Sequence, residues 1–141
     1  YGEGGFIQYQ SFIPAARAAD VFRTQVEMQQ AEGLESYLAV LKRHRPDSFL
    51  FSHGVEGFSL ALDFKLTHGN RRLLCKVCHA MNDLVLSAGG RFYFAKDSTM
   101  RSEDAQKYLG AETLERFRRY KLALDPEGIL TSELARRLML V

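Results

Sequence analysis

The sequence is poor in several things at once. Only two cysteines occur among 141 residues, Cys75 and Cys78. Two thiols cannot build a disulfide framework, and they suit a reducing compartment. No run of about 18 apolar residues occurs anywhere, which excludes a membrane-spanning helix. Neither sign of charge dominates: 19 Lys plus Arg against 17 Asp plus Glu leave a formal charge of +2. Such a balance exerts no global pull toward nucleic acid or anionic membrane. Short-period repeats and low-complexity tracts are also missing. The start, Tyr1-Gly2-Glu3, has no Met and no cationic-then-apolar leader. It is expected to be a cut from a longer protein, with Leu138 to Val141 as the true end. What is present is ordinary for a globular chain, 46% apolar and 26% charged residues. The length predicts one domain over residues 1–141, able to bury roughly two-thirds of its extended surface.

Periodicity divides the chain into short elements. Gly5 to Ile13 is rich in aromatic and β-branched residues and reads as a strand. Pro14 suits the first turn of a helix, and Ala18, Val21, Phe22 and Val26 recur at helical spacing up to Gly33. Ser36 to His44 and Glu56 to Leu66 read as the second and third strands, separated by a polar stretch with Pro46 and Asp47. Asn70 is expected to cap a helix from Arg71 to Ser87, whose stripe is Leu73, Leu74, Val77, Met81, Leu84 and Val85. Arg91 to Ala95 is the predicted fourth strand. Ser102 is expected to cap a short helix, Thr113 to Leu124 to form another, and Ser132 to Leu138 to add a last helical turn. The order β-α-β-β-α-β followed by helices is the split βαβ, or ferredoxin-like, plan. It predicts an α+β fold: a four-stranded antiparallel sheet with helices on one face and the first and third strands central.

Side chains alternate across strands. One face of each predicted strand is apolar and is expected to pack on the helices: Ile7, Tyr9 and Ile13; Tyr37, Ala39 and Leu41; Phe58, Leu60, Leu62 and Phe64; Phe92 and Phe94. The other face mixes Gln8, Gln10, Lys42, His44, Ser59, Asp63 and Tyr93 with Val40 and Ala61. An ordinary solvated sheet surface accounts for such a face, and so does a ligand pocket, which needs apolar walls and a few orienting polar groups.

Four segments carry a resemblance. Gly90-Arg91-Phe92-Tyr93-Phe94-Ala95-Lys96-Asp97-Ser98 resembles the Gly-Arg-x-Tyr-x-Ala-Lys-Asp segment of FAD-linked oxidoreductases of the vanillyl-alcohol oxidase superfamily. Gly5-Phe6-Ile7-Gln8-Tyr9-Gln10 with Ile13-Pro14, Gly57 to Phe64, and Leu124-Asp125-Pro126 with Ser132 to Leu138 resemble further family segments in the same register. The resemblance implies a C-terminal substrate-binding cap domain whose FAD is held mainly by an N-terminal domain absent from this chain. It implies oxidation of a CH–OH group of a sugar or polyol-type substrate by hydride transfer to flavin, with aldonolactone or alditol oxidation as the alternative. Lys96 and Tyr93 are the implied catalytic and flavin-contacting residues, and Gln8, Gln10, Lys42, His44, Ser59 and Ala61 the implied substrate wall. The family pattern has Asn where Ser59 stands, Cys where Ala61 stands and an aromatic where His44 stands. The implied partners are the flavin domain, a sugar-type substrate that is lipid-linked in some relatives, and a reductase. The implied location is cytoplasmic, with membrane association through a lipid-linked substrate.

A reading of another class is a non-catalytic ferredoxin-like ligand-binding module. Cys75-Lys76-Val77-Cys78-His79 spells a haem-attachment string, but it falls inside an amphipathic helix, where the cysteines read as core. No second cysteine pair exists to complete a zinc site. Gly2-Glu3-Gly4-Gly5 is too short and acidic for a phosphate loop. Arg116, Arg118, Arg119 and Lys121 follow Glu112 and Glu115 and are expected to form helix-surface ion pairs. Nucleic-acid stacking on the sheet is disfavoured because Phe92 and Phe94 are expected to face the core.

Overall fold

A computed structural model describes residues 4–138 and 140. The Tyr1-Gly2-Glu3 start, most of the Gly2-to-Gly5 stretch's acidic half, and Met139 and Val141 of the expected end lie outside the described residues. The elements are β1 (Phe6–Pro14), α1 (Ala15–Ala31), β2 (Leu38–His44), β3 (Gly57–Lys65), α2 (Arg71–Ser87), β4 (Arg91–Phe92), a 3-10 turn (Phe94–Lys96), α3 (Ser102–Leu124) and α4 (Glu133–Arg137). The sheet order is β2-β3-β1-β4, with every described pairing antiparallel. The first and third strands are therefore central, as the split βαβ plan requires. No helix among the described residues is long and apolar enough to cross a membrane.

One face of the central strands supplies the core. Ile7 and Tyr9 of β1 and Leu60, Leu62 and Phe64 of β3 pack against Leu74, Val77, Cys78 and Met81 of α2. A second cluster joins Ile13, Val21 and Val85 to Leu109 and Leu114 of α3 and to Leu138 and Leu140. Phe22 of α1 touches both clusters. Each fully buried Leu, Ile or Phe contributes roughly 1.5–3 kcal/mol.

Three expectations are corrected. The fourth strand stops at Phe92 rather than Ala95. Phe94 leaves the alternation to pack on Phe51 and Tyr108, with ring centroids at 5.5 and 5.8 Å, and Lys96 N–H bonds back to the Tyr93 carbonyl at 2.9 Å. Tertiary aromatic contacts outweigh the strand pattern there. The two expected helices after the sheet do form: α3 is broken into two helical stretches at Gly110, whose φ of 76° and ψ of 159° are non-helical and which only glycine adopts readily. Neither expected cap forms. Asn70 accepts from Thr67 N–H and donates to the Lys65 carbonyl, a turn role. The cap of α3 is a reciprocal contact between Arg101 and Asp104 rather than Ser102. Finally, β2 does not bury an apolar face. It is an edge strand, Tyr37 and Leu41 are more than half exposed, and Leu41 flanks an open groove with Phe22 and Val26.

The segment after the 3-10 turn is pinned from two sides. Arg137 of α4 donates to the Met100 carbonyl at 2.6 Å and the Asp97 carbonyl at 3.0 Å, and pairs with the Asp97 carboxylate. Fully buried Asp104 accepts from Asn82 of α2 at 2.9 Å and from the Arg101 guanidinium, which also reaches Asp83. Burial pushes the Asp104 carboxyl up, but the Arg101 and Asn82 hydrogen bonds outweigh it and hold it below the usual carboxylate range.

Gly57 lies where β3 meets the end of β1. A Cβ there would stand 2.1 Å from the Ile13 carbonyl oxygen, and at Gly90 it would meet the Phe12 carbonyl at 2.8 Å. Backbone cannot yield as a side-chain tip can. Gly57→Ala is expected to destabilise the fold by about 1–3 kcal/mol or more, read as a lowered denaturant midpoint at unchanged slope.

Candidate functional site

The sheet face turned away from α1 and α2 is built by register. Gln8 pairs with Asp63, Gln10 with Ala61 and Phe12 with Ser59 across β1 and β3. Val40 pairs with Ala61, and Lys42 with Ser59, across β2 and β3. Arg91 of β4 sits opposite Phe12. Because residues two apart share a face, Gln8, Gln10, Phe12, Ser59, Ala61, Asp63, Lys42 and His44 project to one side.

This face is polar and yet buried. Ser59 is 0% exposed, Asp63 3% and Gln10 7%. A solvated surface would leave these groups to water. Here Gln10 and Ser59 bond to each other and to two further groups. Lys96 Nζ donates to Gln10 Oε1 at 2.8 Å. Gln10 Nε2 donates to Ser59 Oγ at 3.0 Å. Ser59 Oγ lies 2.8 Å from His44 Nε2. Four of the expected residues, from β1, β2, β3 and the 3-10 turn, thus form one continuous line.

Beside it runs an aromatic wall. Phe12 contacts the imidazoles of His44 and His53 with centroids at 4.8 and 4.6 Å, and His53 contacts Tyr93 at 4.8 Å. His53 comes from the loop between β2 and β3. That loop is held by Phe51 against Phe117 of α3 at 4.5 Å and by Arg91, which donates to the Ser52 carbonyl at 3.3 Å. Neither His53 nor Phe12 was among the expected site residues. Phe12 follows from the alternation that selects Gln8 and Gln10. His53 sits in aperiodic sequence, and only the loop's tertiary path brings it in.

The remaining expected residues take simpler places. Ala61 is buried between Gln10 and Val40. Gln8 is half-buried beside Asp63, one row from the bonded line. Lys42 is exposed next to Ser59. Tyr93 is partly exposed at the edge of the aromatic wall. Electrostatics tie these groups together. Burial lowers the Lys96 ammonium from the ordinary lysine range, Lys42 lowers it further, and Asp63 opposes both. Burial also lowers His44, with help from His53 and Lys42, which favours its neutral form.

The cysteine string lies within α2. Cys78 is fully buried in the core, and burial, then Cys75, pushes its thiol up to about 12. The helix thus places Cys78 as a core residue, with its thiol little inclined to ionise. Among the described residues no group of three or more His, Cys, Asp and Glu is placed to hold a metal ion. On α3, Arg116 turns to the Tyr120 hydroxyl at 3.1 Å and Lys121 pairs with Asp125.

Comparison with known proteins adds an independent line. The chain is 30% identical over 142 residues to decaprenylphosphoryl-beta-D-ribose oxidase of Mycolicibacterium smegmatis, an alignment that covers all of this chain and 29% of that protein. It is 35% identical over 124 residues to an uncharacterized protein in the mprA 5' region of Streptomyces coelicolor, covering 84% of this chain and 31% of that protein. The chain therefore spans less than a third of the curated relatives it matches. No protein-family model matches it.

The opposed influences on Lys96 can be separated by titration. Asp63→Asn removes the charge that favours the ammonium and is expected to lower the Lys96 pKa further. Lys42→Met removes a repelling cation and is expected to raise it. Carbon-13 shifts of the Lys96 ε-carbon followed against pH read both directions.

Proposed function

We propose that this chain is the substrate-facing domain of an FAD-linked oxidoreductase that oxidises a CH–OH group of a sugar or polyol-type substrate. The observation that carries the reading is the placement of Lys96. Its ammonium stands over a buried polar face, 2.8 Å from Gln10 Oε1, in the segment that resembles the flavoenzyme pattern. The whole-chain similarity to a protein named decaprenylphosphoryl-beta-D-ribose oxidase supports it.

The residues present suit a flavin ring's electron-rich edge, though not the rest of FAD. Lys96 brings a cation with three N–H donors, one committed to Gln10. The partly exposed Tyr93 ring comes three residues before it in sequence and lies on the same wall as His53. When bound, FAD would supply the hydride acceptor. In this reading a further domain holds most of it, and this chain contributes four things. Lys96 is a fixed cation that stabilises negative charge developing beside it. Gln10 and Gln8 offer amides, which both donate to and accept from sugar hydroxyls. Exposed Lys42 meets an anionic group such as a phosphate. His44, Phe12, His53 and Tyr93 form an aromatic wall against a sugar's apolar C–H face. A lipid-linked substrate, a reductase partner and a cytoplasmic site at a membrane surface complete the proposal.

Lys96→Ala in the flavin-bearing enzyme that contains this chain is the test. Flavin reduction by the sugar substrate is expected to fall by about 100-fold or more, while reduction by dithionite is unchanged. Reduction by substrate at the original rate would overturn the reading.

A further inference from the structure

The line from Lys96 to His44 has a direction, and the direction fixes proton positions. An ammonium has donors and no acceptor. The Gln10 atom facing Lys96 at 2.8 Å is therefore Oε1, and the amide nitrogen must turn to Ser59, which it meets at 3.0 Å. Ser59 Oγ accepts that hydrogen bond. Its own proton is then directed to the remaining partner, His44 Nε2, 2.8 Å away. A neutral imidazole with its hydrogen on Nδ1 completes the line, each of its three contacts then pairing one donor with one acceptor.

We propose that His44 and Ser59 are positioning residues: neutral His44, by accepting from Ser59, holds the Gln10 amide in the one orientation that presents a carbonyl to Lys96. Protonating His44 would place a donor at Nε2. Ser59 would then face two donors, and its own hydrogen would lose its acceptor at a site with no solvent exposure. A buried donor left unpaired costs about 1–3 kcal/mol. Ser59 regains an acceptor only by turning its hydrogen toward Gln10, which would rotate the amide and set its NH2 group against Lys96, so either way the anchor of Lys96 is weakened.

The surroundings push the same way. Lys42 lies beside His44 on β2, His53 faces it from the loop with centroids 6.5 Å apart, and Arg91 of β4 and Lys96 flank the line from the other side. Two carboxylates oppose this cationic set. Asp63 of β3 acts at the Lys96 end, and Asp47 of the loop, whose carboxylate is held low mainly by the Phe49 N–H, lies within reach of His53 and Arg91. Burial lowers the His44 pKa, consistent with a group that accepts rather than donates. The bearing of this pair on catalysis rests on the flavoenzyme reading. Its hydrogen-bonding content does not, and the experiment reads only the latter.

Nitrogen-15 NMR of the histidine rings in the 141-residue chain tests it. At pH 7.5 the expected state of His44 is a bare Nε2 and a protonated Nδ1. Its titration midpoint is expected below the ordinary value of about 6.5, with the Gln10 side-chain amide resonances moving at the same midpoint. Ser59→Ala removes the donor to neutral His44, so the midpoint is expected to rise and the Gln10 response to vanish. Ser59→Thr, which keeps the hydroxyl, is expected to preserve both. A proton on Nε2 at pH 7.5, or a Gln10 amide indifferent to the His44 titration, would overturn the proposal. Both readouts come from the unsubstituted chain, so they decide the matter even if Ser59→Ala fails to fold.

Discussion

The pairing of β1 with β3 is the constraint on which the rest depends. Nine residue pairs run from Phe6 and Lys65 to Pro14 and Gly57. Both strands are central, so each must satisfy two demands at once. One face must be apolar enough to hold the helices, and the other must place Gln10 next to Ser59. Because side chains alternate with period two, a slip of one residue would exchange the faces. Leu60, Leu62 and Phe64 would lose their place against α2, and Ser59 and Asp63 would enter the core. The apolar face therefore locks the register that assembles the polar one. The close approach at Gly57 and Gly90 lets the neighbouring backbones reach that register without obstruction.

The parts of the fold legible from sequence are those that local periodicity determines. β1, α1, β3 and α2 lie within about two residues of their expected bounds, because each alternates or recurs over a long enough stretch. Gln10, Ser59, His44 and Lys96 were legible as a set through strand alternation and the resembling segments. Their mutual bonding was not, since it needs the register across four elements. The departures share a cause. Tyr93 and Phe94 read as strand, but Phe51 and Tyr108 draw the chain into a turn. Leu41 reads as core, but no helix reaches far enough over the edge strand to cover it. His53 has no periodic context at all. In each case a long-range contact, or its lack, outranks the local pattern.

The distribution of polarity is partly inverted with respect to a simple two-layer domain. Ser59 and Asp63 are buried on the face turned away from α1 and α2, while Leu38 and Leu41 of β2 and Leu122, Leu124, Ile129 and Leu130 near the end of α3 are exposed. Burying polar groups costs free energy unless they are bonded. The Lys96–Gln10–Ser59–His44 line meets that cost with hydrogen bonds that are also directional. It gives one arrangement of donors and acceptors rather than a surface that water could satisfy in many ways. The lowered Lys96 and His44 pKa values are the electrostatic trace of the same burial.

Lys96 and Gln10 are 86 residues apart in the chain, and the turn that carries Lys96 is tied down by Arg137, 37 residues beyond Met100. Contacts of such long separation form only after loop-closure entropy has been overcome. The polar line thus unites the first strand of the described residues with a turn secured by the last helix. Neither segment can complete the line without the other. During synthesis, a ribosome-bound chain that has not yet released α4 would carry the four-stranded sheet and an unsecured Lys96 turn. The polar line is thereby the part of this fold that most depends on residues far apart in the chain being present together.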